Sequence, residues 1–264
     1  MKKKPSLRRR RVQDAVLPVV GIAALAVTLE VVSTSGVVDS RFLPSFSQTV
    51  AASVQLLFDP VFLVDLGTTV ATFVLGLLLA CVVGIGVGVL VGLSETAYRA
   101  MRPVVELVRP VPPVALIPLA ILVLGVDLEM KVAVALFAAV WPVLFNTMYG
   151  VHGVDPLSRD MALSFGRSNA DIIRTVVIPA AGPQIWTGVR MSTTISLLVI
   201  ITLELIAGSN SGIGAFIAEA RSASETHAVY AALVVSGFLG LAINQLMMLL
   251  ERVLFRWSLT EERG

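Results

Sequence analysis

Hydrophobic positions along this chain are gathered into long runs. No Asp, Glu, Lys or Arg occurs from Leu66 to Ser94, from Val132 to Val154 or from Thr226 to Leu250. Each run is at least as long as the roughly 20 residues that a bilayer-crossing helix needs. The pattern predicts six membrane segments near 15–34, 67–93, 112–126, 132–151, 190–207 and 228–250. The run from Leu66 to Ser94 holds 29 residues, about 44 Å as helix, so that segment has to tilt or protrude. The third segment contains Pro112, Pro113 and Pro118. Proline suits a first turn and breaks an interior, so this reads as a short or broken span held against its neighbours.

Two polar stretches interrupt the runs. Residues 35–66, with turn-prone Pro44 and Pro60, read as a long external connection. Residues 152–182 carry a helix–turn–helix order of their own. Asp155 is placed to cap a helix whose first residue is Pro156, and Gly166 supplies a left-handed stop. A second helix starts at Ser168, with Asp171 three residues on, and is predicted to end before Pro179. Pro183 then opens the helix that enters the fifth span. Leu157, Met161 and Phe165 fall near one face of the first helix, with Arg159, Asp160 and Arg167 around it. That face suits a groove on another protein. An amphipathic helix resting at lipid headgroups has the same pattern, and the residues alone leave both readings open.

Composition agrees with the segments: 56% hydrophobic and 14% charged lies outside ordinary globular usage. The basic residues then give an orientation. Residues 1–14, 94–111, 152–190 and 251–264 hold 17 of the 20 Lys and Arg residues, and only Arg41, Lys131 and Arg221 fall on the other side. Basic residues near span ends resist translocation, so both termini are predicted to be cytoplasmic. The basic head MKKKPSLRRRR followed by an apolar stretch also resembles a signal peptide. Glu30 and the lack of a small-residue cleavage site favour an uncleaved anchor. Residues 1–14 form the cytoplasmic head and 15–66 the first span with its external connection. Residues 67–250 form the main transmembrane domain, and 251–264 a cytoplasmic tail.

Within the second span Gly84, Gly88 and Gly92 recur every four residues, a face that lets another helix come close. The surrounding GIGVG does not complete GxGxxG, because Val89 or Val91 stands where the third Gly belongs. Catalytic chemistry is scarce. The four lysines are Lys2, Lys3, Lys4 and Lys131, and none follows a Gly, so a P-loop is excluded. His152, His227 and Cys81 are too few and scattered for a zinc site, so no metal is predicted. Asn210 occupies the nucleophile position of Gly208–Gly212, and Asp127/Glu129 and Glu261/Glu262 read as solvated charges. The chain is therefore predicted not to be an enzyme, and the energy for any uphill work comes from elsewhere. Asn146, Thr193, Thr194, Ser196 and Glu204 are the polar residues inside spans, hence candidates for a translocation path. Glu204 reads as reaching headgroup water near a span end, with Arg221 as a candidate partner.

The loop also carries a resemblance. Asp160-Met161-Ala162, three residues, Gly166, nine residues and Val176-Val177-Ile178-Pro179 match the spacing of the loop EAA, three residues, G, nine residues, I-x-LP. That loop belongs to the permease subunits of bacterial ATP-binding-cassette importers. RPVVELVRPVPPVALIPLAILVLG at 102–125 and LELIAGSNSGIGAFI at 203–217 look like the nitrate, sulfonate and taurine branch of that family. The resemblance implies an all-α polytopic fold of the type I importer kind, in a bacterial inner membrane. It further implies a second permease subunit, usually a second copy, two ATPase subunits that bind ATP and Mg inside, and a solute-binding protein outside. No nucleic acid is implied. Arg159, Asp160, Met161, Ala162, Phe165, Gly166, Arg167 and Pro179 would then form the ATPase-coupling loop. The rival readings are an ion-gradient-driven secondary transporter and an intramembrane enzyme.

Overall fold

A computed structural model describes residues 7–39 and 42–256, and every regular element among them is helical. The first six residues of the basic head, Arg41, and the Glu261/Glu262 pair lie outside the described residues. The helices are α1 (Leu7–Thr34), α2 (Phe46–Leu56), α3 (Pro60–Leu93), α4 (Glu95–Val108), α5 (Ile117–Leu124) and α6 (Leu128–His152). They continue with α7 (Pro156–Ser164), α8 (Asn169–Ile172), α9 (Ile178–Ile206), α10 (Ile213–Ser222) and α11 (Thr226–Leu254).

Small residues build the centre. Gly76, Ala80, Gly84, Gly88 and Gly92 form one stripe of α3, all buried. Opposite them on α6 stand Ala135, Ala139, Val143, Thr147 and Val151, again every four residues. A Cβ at Gly84 would lie 2.8 Å from Val143 Cβ, and one at Gly88 2.6 Å from Thr147 Cβ. Hydrogen in place of a side chain brings the two backbones together, and contact area replaces the hydrophobic drive that lipid cannot supply. Gly86 meets nothing within 4 Å. On its other side α6 receives α9 at Gly188, whose missing Cβ makes room for Pro142 O and Asn146. Ser192 Oγ donates to Ala139 O at 2.5 Å across the same seam.

Several boundaries differ from those predicted. Four helical segments are long and apolar enough to cross a bilayer: Pro60–Leu93, Leu128–His152, Asn169–Ile206 and Thr226–Leu254. A fifth candidate is the α4 to α5 pair, bent by 80°. The third predicted span is therefore only the far limb of that broken unit, a 3₁₀ turn at Pro113–Leu116 followed by α5. Helix α1, Leu7–Thr34, runs through the whole of the predicted first segment at 15–34. Residues 35–66 are not a plain connection. Ser45 and Gln48 close a capping box that starts α2, which lies against α11. Asp59 caps α3 through the Val61 N–H with Pro60 in the first turn, so α3 begins seven residues earlier than predicted.

The break predicted before Pro179 is also absent. Ile173–Val177 form a single π turn, and the helix runs from Asn169 to Ile206 without a stop. In α geometry the Pro179 ring would press on the carbonyl of Thr175. The wider π turn immediately before it relieves that conflict and keeps the axis going.

Candidate functional site

The α7–α8 elbow is fixed by local chemistry. Asp155 Oδ1 accepts from the Leu157 N–H at 3.0 Å, and Pro156 fills the first turn, where no N–H is needed. At the far end Arg167 N–H donates to Ala162 O and Gly166 N–H to Leu163 O, with Gly166 at φ +76°. This pair of bonds is the Schellman arrangement, which needs a left-handed residue. Ser168 then caps α8 by accepting from Asp171 N–H, and its hydroxyl donates to Asp171 Oδ2 at 2.7 Å.

Two contacts hold the elbow to the membrane helices. Arg159 Nη donates to Val151 O at 2.5 Å, a cation on the last turn of α6 where the helix dipole is negative. Ala162 packs against a cluster of Val151, Val154, Ile172, Val177 and Ala181. The opposite face is bare: Leu157, Met161 and Phe165 form an exposed row at four-residue spacing, with Phe165 82% exposed. Asp160, Arg167 and Pro179 are exposed as well. Beside this end, Tyr98 of α4 stacks on His152 with ring centroids 3.7 Å apart.

At the other end of the bundle lies a buried polar cluster. Glu204 on α9 is fully enclosed. It accepts from Thr69 Oγ1 at 2.9 and 3.1 Å and from the Gly214 N–H at 3.1 Å. Lys131 Nζ stands 4.0 Å from Glu204 Oε1 and donates to Ser211 O at 2.7 Å. Asp65 Oδ1 accepts from the Gly212 N–H at 2.7 Å, and Thr69 Oγ1 from the Ile213 N–H at 2.9 Å. Side chains of α3, α6 and α9 thus clasp the 208–214 turn. Gly212 has φ +118°, and a Cβ there would overlap the Glu204 carboxylate.

Glu204 therefore does not reach headgroup water, and its charged neighbour is Lys131 rather than Arg221, which is exposed. Sequence reasoning places Lys131 only among the basic residues of the outer side and does not single out Asp65 or Thr69. The available signal was position: Asp65 and Lys131 each stand directly before a charge-free run.

Of the remaining polar span residues, all but Ser196 line one of two cavities flanking α9. Asn146 lines a cavity of about 490 Å³ between α4, α6 and α9. Its Nδ2 donates to Pro142 O at 2.8 Å, and its Oδ1 accepts from Gln184 Nε2 at 2.9 Å. Thr193 and Thr194 line a cavity of about 430 Å³ toward α11, beside Arg190 and Asn244. Ser196 is buried in neither, and its hydroxyl has no partner among the described residues.

Residues 82–258 match the family described as the binding-protein-dependent transport system inner membrane component. The chain belongs to this family. The chain is 32% identical over 258 residues to SsuC of Bacillus subtilis strain 168, provisionally named an aliphatic sulfonates transport permease; the match covers 97% of this chain and 92% of that one. It is 30% identical over 243 residues to the nitrate import permease NrtB of Synechocystis, covering 89% and 87%. In fold it is similar to a chain of the methionine ABC transporter MetNI solved in inward-facing conformations, with TM-score 0.63 at 16% identity, over 72% of this chain and 94% of that chain. This binding-protein-dependent permease is thus a multi-pass inner-membrane transport subunit rather than a catalytic one. Its family works with a solute-binding protein and an ATPase.

Proposed function

We propose that this permease forms half of the membrane route of an importer for a small oxyanion such as a sulfonate, taurine or nitrate. A second copy supplies the other half, and two separate ATPase subunits bind ATP and Mg and drive it. The observation that carries the reading is the elbow. Its inner face is hydrogen-bonded to α6 through Arg159 and packed on an apolar cluster through Ala162, while Leu157, Met161 and Phe165 stand outward and exposed. A rigid apolar row on a capped helix fits a groove on a partner and transmits that partner's movement. The basic bias of 17 residues against three supports an inward-facing elbow and cytoplasmic termini. ATP-driven closure of the partners would pull on α7, and the two permease copies would rock as rigid bodies between inward and outward access.

The substrate class rests on the relatives, one named for sulfonates and one for nitrate. Both ligands end in a three-oxygen anionic group. The gradient-driven alternative has no structural feature in its favour here.

The test places one cysteine at Phe165 in a Cys81→Ser background, Cys81 being the only native thiol. In assembled transporter, F165C is expected to cross-link to the ATPase, in a yield that changes when ATP is added. A cross-link to lipid-side reagents only, with none to the ATPase, would refute the docking role. Uptake into proteoliposomes driven by an ion gradient without ATPase would refute the importer reading itself.

A further inference from the structure

The cavity of about 490 Å³ between α4, α6 and α9 has one cationic wall and no acidic one. Phe137, Trp141, Phe145 and Tyr149 come from one face of α6, four residues apart, and line it together with Asn146. Phe137 and Trp141 meet edge to face at 5.8 Å, and Trp141 lies 5.9 Å from Phe145. Into this aromatic wall faces the segment that joins α4 to the 3₁₀ turn, and Arg109 is its first residue. The neighbouring cations are neutralised: Arg99 pairs with Glu95 at 2.6 Å and Arg102 with Glu106 at 3.7 Å. Arg109 has no ion pair among the described residues. The second cavity differs in this respect, because Arg190 there is held 3.4 Å from Glu251.

We propose that Arg109 is the residue that selects for a monovalent oxyanion at the inner end of the membrane route, and that this cavity is where the anion rests. The assignment rests on the oxyanion reading given above. Arg109 is exposed at the edge of the cavity, within the 94–111 segment read above as cytoplasmic, and no acid of the lining competes for its guanidinium, which leaves it open to an anion there. Its planar fork matches the adjacent oxygens of nitrate or a sulfonate, which a lysine ammonium would meet only as a point charge. The absence of any Asp or Glu lining the cavity disfavours a cationic solute. Position adds a second element. Arg109 sits at the 80° bend between α4 and α5, so a change in that bend would move the guanidinium relative to the α6 wall.

The permease with its ATPase, held in lipid nanodiscs without a binding protein, would be dialysed against radiolabelled methanesulfonate. Wild type is expected to bind it saturably, with nitrate competing and choline not competing. Arg109→Gln is expected to weaken binding at least about tenfold. Arg109→Lys should fall between the two, and Arg102→Gln should leave binding unchanged. No saturable binding by wild type, or equal binding by wild type and R109Q, overturns the assignment of Arg109. If R109Q fails to assemble with the ATPase, R109K decides, and equal nitrate affinity in R109K and wild type overturns it. A parallel arm measures ATP-driven uptake by the complete transporter. Uptake of neither nitrate nor methanesulfonate by wild type would remove the oxyanion reading, whereas uptake with unaltered R109Q removes only the role of Arg109.

Discussion

Lys131 Nζ and Glu204 Oε1 lie 4.0 Å apart, and neither side chain is more than 4% exposed. The two charges are brought out of water by different helices, α6 and α9, and each is also hydrogen-bonded to the 208–214 turn or to its flank. A buried pair of this kind adds little net stability relative to apolar residues, but removing one member strands the other.

Glu204→Gln should therefore destabilise the permease strongly, by about 3–5 kcal/mol, because Lys131 loses its counter-charge. Lys131→Met combined with Glu204→Gln should recover much of that loss. Thermal unfolding of the four proteins of the cycle measures the coupling, and strict additivity would contradict a direct interaction.

Gly166→Asp should leave insertion and helix content unchanged while abolishing co-purification with the ATPase. The residue sits at φ +76° and ends the Schellman arrangement. A Cβ there costs about 1–2 kcal/mol locally and disturbs the turn from α7 to α8. Circular dichroism and a pull-down separate the two effects.

Arg159→Leu should loosen the elbow without removing its apolar row. The lost bond is charge-assisted, from Arg159 to Val151 O, and such bonds contribute about 1.5–3 kcal/mol. Hydrogen exchange is expected to rise across residues 156–166. ATPase binding should survive, with transport per ATP hydrolysed reduced. Unchanged exchange would show that the contact does not hold α7.

Gly88→Leu should destabilise the bundle, by about 1–3 kcal/mol or more, since Thr147 and Leu144 O already occupy the space. Gly86→Leu is the control, having nothing within 4 Å. Equal melting temperatures for the two variants would mean that the α3–α6 seam yields freely.

How much of this was legible in the sequence follows from how local each signal is. The elbow could be read because Asp155, Pro156, Gly166 and Ser168 act on backbone groups within a few residues. Helix α2 was missed although Ser45 and Gln48 hold the capping-box spacing, because its surroundings read as a turn-rich connection. The start of α3 was placed too late because Asp65 looked like the limit of a span, when it is a hydrogen-bond acceptor inside the helix. Continuity through Pro179 depends on a π turn that no residue type announces. The Lys131–Glu204 pair and the Arg109 cavity join residues far apart in the chain, and no spacing rule reaches across that distance.

The unbroken helix from Asn169 to Ile206 has a mechanical consequence. Its 38 residues make a rod of about 57 Å with the elbow at one end and the Glu204 clasp close to the other. A tilt of roughly 5° about one end would displace the opposite end by about 5 Å. A displacement of the elbow is therefore carried toward the Glu204 clasp along one continuous helix, whose only irregular stretch among the described residues is the π turn at Ile173–Val177.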